Sequence, residues 1–307
     1  MWWNRCDGDL VRGLDPDRRI MPYIMRGRNE SIAFFESAVD VTRTEEFLDE
    51  FNRRRPDGRA TLFHMVLWAL ARTLGEFPHL NRFVAGGRIY QRHGIWISFA
   101  AKQELVEDAP LVTVKKLFDP NQPFLELVDD VHREVDAARS TARTSVDKEL
   151  SILLRLPGSG LRAAVAIVRL ADRLSLLPRA FIDPDPMFTS VWVANLGSLN
   201  MDPVFHHLYE YGNAAVFCTI GQATEEPVVR DSNVVIGRVA RLRFSYDERI
   251  DDGMYAGHAE RLLRRLVEDP LANGCEPSMA LTTKTGEKAG VALSVAGEGT
   301  PHEVPGP

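Results

Sequence analysis

Between residues 31 and 268 the apolar residues switch repeatedly from the every-second-residue spacing of strands to the spacing of helices. Residues 31–41 are rich in Ile, Phe and Val and read as a strand closing near Asp40 and Thr42, before a helix over about residues 44–54. After the turn signal Pro56-Asp57-Gly58, residues 61–74 set Leu62, Met65, Val66, Trp68, Ala69 and Leu74 on a broad apolar face, which predicts a mostly buried helix. Gly86-Gly87 between Phe83-Val84 and Ile89-Tyr90 predicts a hairpin, and residues 94–102 and 111–118 read as strands. Residues 123–177 are helical in pattern except at Pro157-Gly158-Ser159-Gly160. Strand spacing returns at 188–194, 214–220, 228–229 and 234–245. The last helix covers about residues 253–268, with Asp251 and Asp252 at its positive end, Ala259, Leu262, Leu263 and Leu266 in its stripe and Pro270 just beyond. Such interleaving, with no repeat of fixed period, predicts a mixed α/β or α+β sheet.

A chain of 307 residues that is 45% hydrophobic and 26% charged has material for a large core. Its formal net charge of -6 gives no electrostatic case for nucleic acid or an anionic membrane, so a small molecule or a protein is the expected partner. Cys6, Cys218 and Cys275 are too scattered for a disulfide framework or a zinc site, which points to a reducing, cytoplasmic compartment. The N-terminus lacks the apolar core of a signal peptide. Residues 161–177 are interrupted by Arg162, Arg169, Asp172 and Arg173, and their helical spacing predicts an amphipathic helix packed on the core rather than a membrane segment. Residues 276–307 shift to Gly, Thr, Ser, Glu and Pro, the composition of a disordered tail behind one domain over residues 1–275.

Three segments carry a family resemblance. Residues 61–101 place Glu76-Phe77-Pro78-His79-Leu80-Asn81 between a helix and a hairpin, in the manner of a Pro-x-x-Asn turn. Ser190-Val191-Trp192-Val193-Ala194-Asn195-Leu196-Gly197 resembles a strand ending in Ser-Asn-Leu-Gly, and a strand closing at Ile220-Gly221 follows. Asp247-Glu248-Arg249-Ile250-Asp251-Asp252-Gly253 matches Asp-His-Arg-x-x-Asp-Gly everywhere but the His. Jointly the chain resembles the catalytic domain of the 2-oxoacid dehydrogenase acyltransferases. That resemblance implies a two-layer α+β sandwich with a mixed sheet, the fold shared with chloramphenicol acetyltransferase. It further implies a trimer, alone or in larger shells, with CoA and the acyl acceptor entering an intersubunit site from opposite ends.

In that family the signature His takes a proton from a thiol, and the Ser of Ser-Asn-Leu-Gly donates to the oxyanion. Here those positions are Glu248 and Ala194. Asp247, Arg249, Asp252 and Gly253, with Asn195 and Gly197, keep the frame, orienting the turn by charge pairing and close approach. The loss of one oxyanion donor costs roughly 100- to 1,000-fold in rate. A carboxylate of ordinary acidity is mismatched to a thiol by about four pKa units, roughly 5–6 kcal/mol uphill.

His206 or His207 is the candidate to pair with Glu248 as a relocated base, against the plainer reading of loop histidines. Ser198, Ser190 and Thr189 are displaced hydroxyls with ordinary turn and strand roles available to them. His64, His79, His93 and His132 lack metal-ligand spacing and read as structural or surface residues, so no metal is expected. Val146-Asp147-Lys148 sits in helical sequence, without the β domain a lipoylated lysine needs, and the lipoyl domain, subunit-binding domain and Ala/Pro-rich linkers of longer relatives are not expected in this chain. The expected function is acyl transfer between CoA and a small acceptor through a Glu248-containing site, with acyl-CoA as substrate. A non-catalytic binding or assembly module is the alternative, and thioester hydrolysis, with the carboxylate activating water, a third. The helical stretch 145–177 exceeds the corresponding family region and reads as a lid or interface element.

Overall fold

The computed structural model describes residues 5–55, 58–102, 111–141 and 157–275. Six strands form a mixed sheet in the order β2 (Ile32–Asp40), β9 (Asn233–Asp247), β8 (Val216–Arg230), β7 (Val191–Asn195), β5 (Ile95–Lys102), β6 (Leu111–Phe118). β7 runs parallel to both β5 and β8, and the remaining pairs are antiparallel. A small antiparallel sheet orders β1 (Gly8–Leu10), β4 (Arg88–Arg92) and β3 (Arg82–Ala85). This is the expected two-layer arrangement. Helices α2 (Thr42–Arg54), α3 (Leu62–Glu76), α4 (Phe124–Thr141) and α7 (Gly253–Glu268) send Phe51, Trp68, Leu127 and Leu266 onto Phe99, Val193, Cys218 and Leu242 of the large sheet. Alternation along each strand turns the next residues to the other face. There Trp192, Leu208, Ala214 and Phe217 form a second apolar cluster, onto which no helical residue packs among the described residues.

Local chemistry sets the boundaries. α3 begins at a capping box, in which the Thr61 backbone N–H donates to His64 Nδ1 at 3.2 Å. Gly86 and Gly87 both take positive φ, +56° and +75°, as the predicted hairpin requires. The predicted strands at 214–220 and 228–229 are one strand, β8, because its outer half pairs only with β9 in a ribbon beyond the body, where no apolar alternation is required. Pro157-Gly158-Ser159-Gly160, read as a break, instead opens a helix: Pro157 is the N-cap of α5 (Gly158–Arg173). α1 (Pro16–Ile24), β1 and the short α6 (Arg179–Ile182) carry no strong sequence pattern and were not foreseen.

α5 also departs from expectation in its packing. No residue of it is buried, and Ile167 and Leu170 stand 67% and 56% exposed. Its C-terminal end alone is anchored, through Asp172, whose carboxylate meets Arg5 Nη2 at 2.7 Å and whose carbonyl accepts from Arg5 Nη1 at 2.8 Å. The proposed tail at 276–307 and the motif Val146-Asp147-Lys148 lie outside the described residues. Among the described residues no helix is long and apolar enough to cross a membrane.

Candidate functional site

β9 ends at Asp247 and α7 starts at Gly253, so the signature residues make the strand-to-helix turn. Asp247 is fully buried, and Arg249 meets it with both arms of its fork, Nε to Oδ1 at 2.7 Å and Nη2 to Oδ2 at 2.6 Å. Ser31 Oγ donates to the same carboxylate at 3.0 Å, and Arg249 Nη1 donates to the Met25 carbonyl at 3.0 Å. Two charges removed from water demand this saturation of their hydrogen bonds. Asp252 caps α7, its Oδ1 accepting from the Tyr255 N–H at 2.9 Å. The close approach expected at Gly253 is absent from the described chain: a Cβ there would meet only Tyr246 Oη, at 3.9 Å.

Glu248 sits half-buried in this turn and is held by its backbone. Its N–H donates to the Ser31 carbonyl at 3.0 Å, and its own carbonyl accepts from Arg18 Nη1 of α1 at 2.6 Å. Among the described residues no hydrogen bond or ion pair reaches its carboxylate. His206 and His207 are not joined to it within the chain. His206 Nδ1 bonds the His207 carbonyl at 2.7 Å, and its ring stacks on Phe217 at 4.0 Å. Burial, partly countered by that carbonyl bond, lowers the His206 pKa. His207 is exposed.

His79, whose spacing marks it only as a structural or surface residue, is brought by the fold to the same turn. His79 Nδ1 lies 2.5 Å from Asp251 Oδ2, its ring stacks on Tyr255 at 4.6 Å, and its backbone N–H donates to Tyr255 Oη at 3.3 Å. With Nδ1–H given to the carboxylate, Nε2 carries the free lone pair, the arrangement of an oriented general base. The Tyr246 phenol, pushed up by burial and next by the charge of Glu248, also feels Asp251 and Asp252, so these groups share one neighbourhood. The available signal was the presence of His79 inside the Pro-x-x-Asn turn, opposite an acidic signature. Spacing along the chain does not reveal a partner 172 residues away.

At the second motif, Ala194 packs half-buried against Trp192 and Phe217 on the face opposite α2, α3, α4 and α7. Ser190 Oγ accepts from the Trp96 N–H at 2.9 Å, Thr189 Oγ1 donates to the Trp96 carbonyl at 2.8 Å, and Ser198 Oγ donates to the Asn195 carbonyl at 2.8 Å, so all three hydroxyls are engaged. Asn195 Oδ1 accepts from the Ser198 N–H at 3.3 Å. Gly197 is required by space, since a Cβ would stand 2.6 Å from the Gly221 carbonyl oxygen. On the same face the Ser245 hydroxyl and the Trp192 indole N–H are buried without a partner among the described residues. Ala194 is in register with Arg243, through Thr219, and Glu248 follows the last residue of β9. At strand spacings that separates the two positions by roughly 16 Å along the sheet and roughly 10 Å across it, too far for one site in one chain. Among the described residues no group of three His, Cys, Asp or Glu is placed to hold a metal ion.

Residues 188–273 match the family described as 2-oxoacid dehydrogenases acyltransferase (catalytic domain). The chain is 25% identical over 239 residues to the dihydrolipoyllysine-residue acetyltransferase component of the pyruvate dehydrogenase complex of Bacillus subtilis (strain 168), covering 76% of this chain and 43% of that protein. It is 23% identical over 271 residues to the lipoamide acyltransferase component of the branched-chain alpha-keto acid dehydrogenase complex of Pseudomonas putida, covering 87% and 54%. It thus spans about half the length of these relatives. Among solved structures, the cubic core of the pyruvate dehydrogenase multienzyme complex superposes with a TM-score of 0.57 at 16% identity, over 85% of this chain and 93% of that one, and so shares the fold.

Proposed function

We propose that the chain is a divergent member of the 2-oxoacid dehydrogenase acyltransferase family and that it transfers an acyl group from a CoA thioester to a small acceptor, with His79, oriented by Asp251, replacing the missing signature base. The observation that carries this reading is the 2.5 Å contact between His79 and Asp251 in a turn whose Asp247–Arg249 frame is intact. An imidazole suits this task where a solvated carboxylate does not, because its ordinary pKa lies within about two units of a thiol. Glu248 then serves as an electrostatic partner of the turn. The separation of Ala194 from Glu248 supports a homotrimer in which facing chains complete the site.

One observation favours the non-catalytic reading: the oxyanion position is a methyl group among aromatic rings. The test is a CoA thioester assay that scores acyl transfer to thiols and hydrolysis together, on the wild type and on His79→Gln, Asp251→Asn and Glu248→Ala. The proposal expects wild-type transfer reduced about 100- to 10,000-fold by His79→Gln. Loss only in Glu248→Ala would return the base to that carboxylate. Hydrolysis without transfer would make the protein a thioesterase, and no wild-type turnover would make it a binding or assembly module.

A further inference from the structure

One concave feature of the described chain is lined by neither His79, Asp251 nor Glu248. It is a cavity of about 760 Å³ between the free-standing helix α5 and the body, within the range of small-molecule sites. Five arginines line it, Arg26, Arg28, Arg169, Arg173 and Arg249, against two carboxylates, Asp172 and Glu210, an excess of three positive charges on a chain whose formal net charge is -6.

The partners of these groups sharpen the imbalance. Arg249 is matched by Asp247, and Asp172 by Arg5, pairs that cancel outside the lining. Glu210 Oε1 accepts from Asn29 N and Nδ2, both at 3.0 Å. Arg28 is buried without a carboxylate in contact: Nη1 donates to the carbonyls of Tyr209 and Glu210 at 3.2 and 3.1 Å, and Nη2 reaches that of Val84 at 3.4 Å. The guanidiniums of Arg26, Arg169 and Arg173 have no hydrogen bond or ion pair among the described residues. Arg169 and Arg173 are also four residues apart on one face of α5, where like charges disfavour the helix. Gly86 lets this wall approach, since a Cβ there would lie 2.2 Å from the Arg173 carbonyl oxygen.

A concave wall of unanswered arginines, one of them fixed at the base by carbonyls and three free at the rim, fits a ligand that supplies several negative charges to planar forks. We infer that this cavity binds a small phosphorylated molecule carrying at least two phosphate charges, which docks α5 onto the body by bridging Arg28 to Arg169 and Arg173. The shared chemistry has two sources, the phosphorylated nucleotide end of CoA or a separate phosphorylated metabolite. The inference holds whether or not the chain turns over acyl-CoA.

The test is calorimetric titration of the full chain with pyrophosphate, adenosine 3′,5′-bisphosphate and CoA, on wild type and on Arg169→Ala/Arg173→Ala. These positions are exposed on a helix that buries nothing, so the variant keeps the fold, and circular dichroism checks it. At least one ligand is expected to bind wild type, with affinity falling as salt rises and weakened about tenfold or more in the variant. CoA competing with pyrophosphate assigns the site to the nucleotide end of CoA, and pyrophosphate binding without that competition assigns it to a separate metabolite. No binding of any of the three, or equal binding by wild type and variant, overturns the inference.

Discussion

Replacing Arg249 by Leu strands a charge. The Asp247 side chain is 0% exposed and that of Arg249 3%. In Arg249→Leu the carboxylate keeps only Ser31 Oγ at 3.0 Å and the backbone N–H of residue 249 at 3.2 Å, losing both arms of the fork. Breaking one partner out of a buried pair costs about 3–5 kcal/mol, a large share of a total stability of about 5–15 kcal/mol. At about 2–4 °C per kcal/mol for a domain near this size, the melting temperature should fall by ~6–20 °C. Differential scanning calorimetry with a urea titration reads this directly. Asp247→Leu/Arg249→Leu removes both charges and should regain at least half of the loss, since apolar groups can replace a buried pair at little cost. A single-variant shift below ~2 °C, or a double variant no more stable than the single, would refute the reasoning.

Other predictions address acidity, close packing and capping. His64 is 6% exposed, and burial, reinforced by the charge of His132, lowers its pKa from 6.5 to about 3. The unfolded chain therefore binds the extra proton between those values, and stability should drop as pH falls from 6.5, by about 1.4 kcal/mol per unit at most; denaturant titrations at several pH values should show a flatter slope in His64→Gln. Gly197→Ala sets a Cβ against the Gly221 carbonyl at 2.6 Å and should cost about 1–3 kcal/mol. Gly257→Ala in α7 meets nothing within 4 Å and should instead gain about 0.5–1 kcal/mol, both read from urea midpoints. Asp252→Ala removes the cap of α7 and should cost about 0.5–2 kcal/mol, with faster amide exchange confined to the first turn of that helix.

The sheet and the helices α2, α3, α4 and α7 were legible because each buries one face, which forces an apolar period onto the sequence. α7 was placed at its true limits, since Asp252 and Pro270 punctuate it at both ends. The ribbon half of β8 and the whole of α5 misled for the opposite reason: neither is constrained by a buried face, so period and packing part company. The signature turn was readable as a motif, and its Asp247–Arg249 pairing follows from residues two apart. The His79–Asp251 pair and the arginine cavity were not readable. Each joins chain segments far apart in sequence, and charge excess in a cavity is invisible to composition when the whole chain is acidic.

The β8–β9 ribbon has a consequence for how the protein avoids its own kind. Beyond Gln222 of β8 and Arg238 of β9, no third strand pairs with either edge of the ribbon among the described residues, and Val229, Val234 and Ile236 are about three-quarters exposed. Such a segment is a template for edge-to-edge growth into aggregates. The sequence blunts it with Pro227, which withdraws one donor, with Glu225 and Glu226 beside it, and with Arg230, whose guanidinium reaches back to Asp40 at 2.6 Å and ties the ribbon to the body. These residues stand where gatekeepers against edge-to-edge growth are placed.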